Sequence, residues 1–220
     1  MTVLAFPLVT SEFMGLLPIA AAPFEAMDGR ELSTTAGGDI LSANLAARLW
    51  GGRIDCAPMP VALAGKIASR LSMLSEPGAT FWFYPPFRPG PAYDPATALM
   101  AAHGGTPFIS TIRDGREMRL GDFPAGYMLA PGDFISWTYA SAPVRYAFHR
   151  VVVGATAGGG GVIDPLEIEP PARAGWVNGD PVFVASPFCK AIVVPGSVNY
   201  GDGGAPTVAG VSFSWRQTLR

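Results

Sequence analysis

Phe81-Trp82-Phe83-Tyr84-Pro85-Pro86-Phe87-Arg88-Pro89-Gly90-Pro91 joins four consecutive aromatic residues to a run of prolines, and how that join is read decides the fold. Aromatic side chains suit a pleated, half-buried surface. Pro85 and Pro86 lack the N–H that a β ladder needs, so a strand opening near Ala79 must stop there or continue only as a sheet edge. From Pro85 to Pro91 the chain is expected to leave the sheet as a stiff, extended arm. Upstream, the sequence reads as one hydrophobic layer system closed by this strand. Downstream, it reads as β hairpins hanging from the arm.

On the upstream side, Leu41, Ala43, Leu45, Ala47 and Leu49 alternate with Ser42, Asn44 and Arg48. This predicts a long half-buried strand from Ile40, with Gly51-Gly52 allowing a bend or bulge before Arg53 to Cys56. Pro58 and Pro60 open the one strong helix, in which Val61, Ala64, Ile67, Ala68, Leu71 and Leu74 recur at helical spacing. Lys66, Ser69 and Arg70 lie mostly opposite, and Pro77-Gly78 ends it. A helix of about 15 residues with one apolar face has to lie on a sheet. The order is β, β, α, β, with the aromatic strand returning beside the long one. Val3 to Val9 and Phe13 to Ile19, broken by proline, read as an opening strand or arm, and Asp28-Gly29 and Gly37-Gly38 are turn signals.

On the downstream side, Ala96 to Ala102 reads as a helical turn stopped by Gly104-Gly105, and Phe108 to Leu120 as a hairpin centred on Asp114-Gly115. Strands are predicted at Phe134 to Tyr139, Arg145 to Val153, Val162 to Glu169, Pro181 to Ala185 and Cys189 to Val194. Asn199 to Ala205 reads as a polar, glycine-rich loop. Val211, Phe213 and Trp215 alternate with Ser212, Ser214 and Arg216 in a final strand. About seven to ten strands with one helix make the chain mainly β, a sandwich or barrel with the helix packed on the sheet.

Charged residues are only 15% of the 220, against 49% hydrophobic. That is well below the roughly 25% charge of an average globular chain, so much of the surface is uncharged and suited to meeting other protein. A net charge of -2 provides no basic field for nucleic acid and no polybasic patch for a membrane. Gly 27 and Pro 22 fall between apolar runs, where they punctuate short strands. The apolar N-terminus lacks a cationic flank before Arg30 and is broken by Pro7, Glu12 and Pro18, which argues against a signal peptide or a spanning helix.

No motif for a reactive centre or a cofactor stands out. Two cysteines, Cys56 and Cys189, and two histidines, His103 and His149, cannot supply a Cys/His zinc set or a disulfide framework. His149 alternates with Ala147 and Val151, as a packed strand histidine does; its use as a base, with Cys189 or a serine, is the hydrolase alternative. Gly158 to Gly161 lacks the Gly-Lys-Ser/Thr and the following helix of a phosphate loop. Asn199 to Gly204 has too few oxygen ligands for calcium. Trp82, Tyr84, Phe87 and Arg88 are the candidate interface residues, because aromatics and arginine on a low-charge surface are what subunit contacts favour. The competing readings of these aromatics are core packing and a sugar platform built from Trp82, Tyr84 and Trp137.

Several short motifs together carry a family resemblance. They are Trp50-Gly51-Gly52, Phe81 to Pro91, Leu129-Ala130-Pro131-Gly132-Asp133, Arg145 to Val153, Pro165-Leu166, Pro170-Pro171, Gly179-Asp180, Pro187 with Cys189, and Gly210 to Ser214. Over most of residues 45 to 219 the chain resembles the distal tail proteins of long-tailed (siphovirus-type) bacteriophages, structural proteins of the tail tip, or baseplate. The resemblance implies a tail-tube-type β domain with a helix on its sheet, assembled as a homo-oligomeric ring, commonly a hexamer, with an inserted small β domain outside it. On that basis residues 1–84 with 193–220 are expected to form the ring domain and 85–192 the insertion. The implied partners are further copies of the chain, the tail tube protein, the hub protein and the end of the tape-measure protein. The implied location is the virion tail tip, assembled in the host cytoplasm, with no enzymatic activity and no cofactor.

Overall fold

The computed structural model describes residues 4–44, 46–140, 142–204 and 206–219. The fold is mainly β. An eight-stranded antiparallel sheet runs in the order Ile19–Ala21, Trp50–Cys56, Thr207–Gln217, Cys189–Val193, Phe81–Phe83. Phe24–Ala26, Met59–Pro60 and Asn199–Gly204 pair with its two longest strands. Helix Val61–Leu74 buries Ala64, Ile67, Leu71 and Leu74 in the same core as Phe81, Phe83, Phe213 and Trp215. The short 3-10 turns Thr10–Glu12 and Met14–Leu16 add Phe13 and Met14 to it, and Leu8 forms a parallel bridge to Phe81.

Between Phe83 and Cys189 the chain builds a second, six-stranded antiparallel sheet. Its order is Val182–Phe183, Phe134–Tyr139, Arg145–Val153, Ile163–Glu169, Glu117–Gly121, Phe108–Arg113. The first and last strands of this sheet meet. Phe108 bridges Pro181, Ile109 N donates to Asp180 O at 2.9 Å and Val182 N to Pro107 O at 2.7 Å. The sheet therefore closes into a small barrel filled by Ile109, Leu120, Ile135, Trp137, Val151, Leu166 and Ile168, and closure removes the open edges a flat sheet would expose. The short helix Ala98–His103 flanks it; the buried Asp94 accepts the Leu99 and Met100 N–H groups through Oδ2 and so satisfies two orphan donors of its first turn.

Aromatic packing joins the two units. Phe134 and Phe148, from the barrel strands, stack at 5.2 Å with an interplanar angle of 2° and belong to the core of the first sheet. Phe24 lies among them, with ring centroids within 6.4 Å of Trp50, Phe83, Phe134, Phe148 and Trp215. Gly52 makes room for it: a Cβ there would stand 2.3 Å from Pro23 O and 2.5 Å from Phe24 Cβ. The Trp50 indole donates to Phe148 O at 2.7 Å, and Gln217 accepts from Trp50 N and donates to Tyr146 O. Two buried phenylalanines supply about 3–6 kcal/mol of transfer free energy to such a joint.

Several expectations change. The strand expected from Ile40 is not half-buried in the sheet; Ile40–Asn44 pairs with Arg30–Thr34 in an exposed ribbon, and Trp50–Cys56 takes the sheet position. The period-two pattern was real, but no layer covers either face; Leu45 lies outside the described residues. The aromatic strand does not return beside Trp50–Cys56 but pairs with Cys189–Val193, so the chain rejoins the eight-stranded sheet at Cys189. Pro85 to Pro91 is not an extended arm. It folds into turns, with Arg88 N donating to Pro85 O, and is tied to the barrel by Ser186 N to Pro89 O and by the adjacent Ala92 N to Asp133 Oδ1. Asn199–Gly204 is a ladder strand against Thr207–Ser212 in one constant register, with Gly201 and Gly210 both at φ +78°. The helix matches its predicted span, although Val61, at its open end, is exposed.

Gly52→Ala, by forcing a methyl against Pro23 and Phe24, is expected to lower stability by about 1–3 kcal/mol. Gly65→Ala, on the exposed helix face with nothing within 4 Å of its Cβ, should raise stability by about 0.5–1 kcal/mol. Denaturant midpoints of the two variants, compared with wild type, check the opposite signs.

Candidate functional site

Alternation along the Phe81–Phe83 strand sets the geometry of its edge. Phe81 and Phe83 point inward and are fully buried, so Trp82 and Tyr84 point outward. Lys190 is the cross-strand partner of Trp82, and Phe188, two residues before it, leaves the sheet on the same face. Tyr146 arrives from the barrel. Its strand mate Phe148 is fixed in the core, and two residues along the same face Tyr146 meets Trp82 edge-on at 4.7 Å. Phe188 contacts Trp82 at 5.2 Å and Phe183 at 5.3 Å. The result is an open groove of about 610 Å³ lined by Thr10, Trp82, Tyr84, Tyr146, Ser186 and Phe188. Its walls are mostly ring faces, and its hydroxyls come from Thr10, Ser186 and the two tyrosines. Lys190 beside it has no ion-pair partner among the described residues.

Of the four interface candidates named from sequence, Trp82 and Tyr84 line this groove. Phe87 and Arg88 do not. Phe87 is 62% exposed on the proline segment, and the exposed Arg88 reaches Gly132 O at 3.3 Å. Tyr146, Phe188, Thr10 and Ser186 were missed, because sequence periodicity shows which residues share a face of one strand and not which strand ends converge. The sugar platform loses one of its three members: Trp137 is buried inside the barrel, its ring stacked on His149 at 4.5 Å.

A second uncovered surface is the ribbon Arg30–Asn44. Leu32, Ile40 and Leu41 are 63%, 69% and 57% exposed, and only the two ribbon strands pair with each other. Cross-strand register puts Leu32 and Ile40 on one face and Leu41 with Glu31 on the other. A larger cleft of about 750 Å³ lies between Arg30, Arg48, Arg116, Arg173 and Glu169 near the ribbon base. Three of its arginines are already engaged, Arg30 by Asp28, Arg48 by Glu169 and Arg116 by Glu167.

The hydrolase pair is not brought together. Cys189 sits in the core of the first sheet, whereas His149 faces the barrel, with its Nδ1 at 2.6 Å from Pro170 O. Burial pushes both thiols up, Cys56 to about 11 and Cys189 further, so neither supplies a thiolate at neutral pH. His149 is pushed down to about 4, chiefly by burial and partly by the Arg173 charge, against the opposing pull of Pro170 O. Among the described residues no three metal-ligating side chains converge, and no helix is long and apolar enough to cross a membrane. No family model matches the sequence, and no curated protein is significantly similar to it.

His149 gives a pH prediction. Unfolded, it protonates near 6.5; folded, only near 4, so between those values the unfolded chain binds more protons and stability rises with pH. Acidification through that window should cost roughly 3 kcal/mol. Unfolding titrations from pH 7 to pH 4 should show that slope, and His149→Phe should flatten it whatever its effect on absolute stability.

Proposed function

We propose that the protein is a non-enzymatic structural component of a bacteriophage tail tip, of the distal-tail type, forming a ring that joins the tail tube to the baseplate hub. The order of the ring is six in this reading, following the resemblance. The tail tube protein, the hub and the tape-measure end are its neighbours on that axis.

The observation that carries the proposal is the uncovered ribbon Arg30–Asn44. A two-stranded ribbon without a third strand or a covering layer is marginal in water. This one also exposes three large aliphatic side chains on a chain that is only 15% charged. Such a surface suits permanent association, since obligate interfaces resemble a domain core cut in two. The mainly β architecture, with a helix on its sheet and a β unit inserted after the aromatic strand, agrees with what the resemblance implies. The protonated, buried thiols and the packed His149 support a role that does not depend on nucleophilic chemistry.

A carbohydrate-binding role is the second reading, favoured by the outward rings of Trp82, Tyr84 and Tyr146. Four hydroxyls accompany them, from Thr10, Ser186 and the two tyrosines, but among the described residues the lining holds no carboxylate or amide side chain to fix a sugar's orientation.

Light scattering and negative-stain microscopy of the purified protein should show a ring with the mass of six chains, and labelling of intact particles should place it at the distal end of the tail tube. A protein that stays monomeric at high concentration and is missing from virions overturns the reading. A glycan array with specific signal, abolished by Trp82→Ala, would favour the second reading instead.

A further inference from the structure

The two uncovered apolar surfaces lie toward opposite edges of one sheet. The groove borders the edge strand Phe81–Phe83. The ribbon instead leaves the chain between Phe24–Ala26 and Trp50–Cys56, at the other side of the strand order. One surface is concave and built of rings; the other is a projecting two-stranded finger of about 17 Å with aliphatic side chains on both faces. Their charges are complementary as well. Glu31 and Asp39 on the ribbon, and Lys190 beside the groove, have no ion-pair partners among the described residues. With the two halves toward opposite sheet edges, ribbon and groove pair naturally between successive copies.

We propose that the ribbon Arg30–Asn44 of one copy seats in the aromatic groove of the next through the face that carries Leu41, Glu31 and Asp39, with Leu41 against Trp82, Tyr84 and Tyr146 and with the two carboxylates facing Lys190. The occupant of the groove is thus a second copy of this chain. The contact is head to tail: every copy gives a finger and receives one, which is the geometry that closes a ring when the rotation per copy is right. This inference rests on the ring reading above and specifies its interface.

The test uses two variants of the full-length protein. Leu41→Asp alters only an exposed ribbon side chain, on the face that meets the groove. Thr10→Trp fills the groove from an exposed turn without removing any of its ring contacts. Circular dichroism and thermal melting of both should match wild type. Light scattering should find wild type oligomeric, each variant monomeric, and an equimolar mixture dimeric, because the ribbon of the Thr10→Trp chain still finds an open groove on the other variant. That complementation is a result no symmetric, self-pairing interface gives.

An oligomeric ribbon variant overturns this inference and leaves the ring reading standing. Monomeric variants whose mixture stays monomeric remove the groove as the receptor of the ribbon. Wild type that is monomeric at high concentration removes both the interface and the ring.

Discussion

The structure depends on one joint, the aromatic cluster around Phe24 in which the barrel's Phe134 and Phe148 enter the core of the eight-stranded sheet. Ring packing of this kind contributes about 0.5–1.5 kcal/mol per pair beyond area burial and prefers edge-on or offset geometry, which makes the joint directional. Two hydrogen-bonding side chains sharpen the orientation. The Trp50 indole finds Phe148 O, and Gln217 bridges Trp50 N to Tyr146 O. Left unpaired in that buried setting, each such group would cost about 1–3 kcal/mol, so the barrel has little freedom to rotate on the sheet.

The groove is a consequence of that orientation. Tyr146 and Phe148 share a face of one strand, so fixing Phe148 in the core delivers Tyr146 to Trp82. Turning the barrel away would separate the groove's walls, although every aromatic residue would remain in the sequence. A cluster of this sort belongs to the tertiary structure and not to any one segment.

This explains which parts of the chain were legible before the structure was known. The helix Val61–Leu74 and the hairpin Phe108–Gly121 were readable because local periodicity and an Asp-Gly turn specify them. The break after Phe83 was readable because proline removes a donor whatever surrounds it. Ile40–Asn44 misled because alternation reports which residues share a face and is silent on whether a layer covers that face. Gly51-Gly52 was read as a bend, whereas Gly52 is the notch that admits Phe24, a long-range demand with no local signature. Of the candidate site, Trp82 and Tyr84 were visible as outward strand aromatics. Tyr146 and Phe188 needed the fold to bring them there.

The treatment of strand edges bears on how copies associate. The barrel has closed its own sheet, and the main path of the eight-stranded sheet ends in strands of three residues at each side, one of them already bridged by Leu8; its longer edge, Asn199–Gly204, pairs only with Thr207–Gln217 and is rich in glycine. Short, covered edges discourage strand-by-strand addition, the route by which β proteins run into open fibres. Association through side chains on a projecting ribbon is different in kind. It carries a defined rotation from copy to copy, and a heterologous contact with a defined rotation ends in a closed ring if the angle divides the circle and in a helical filament if it does not. In the proposed assembly, blunt sheet edges and an uncovered apolar finger are therefore two halves of one requirement. The first suppresses unlimited ladder growth, and the second supplies the specific contact on which a finite count of copies depends.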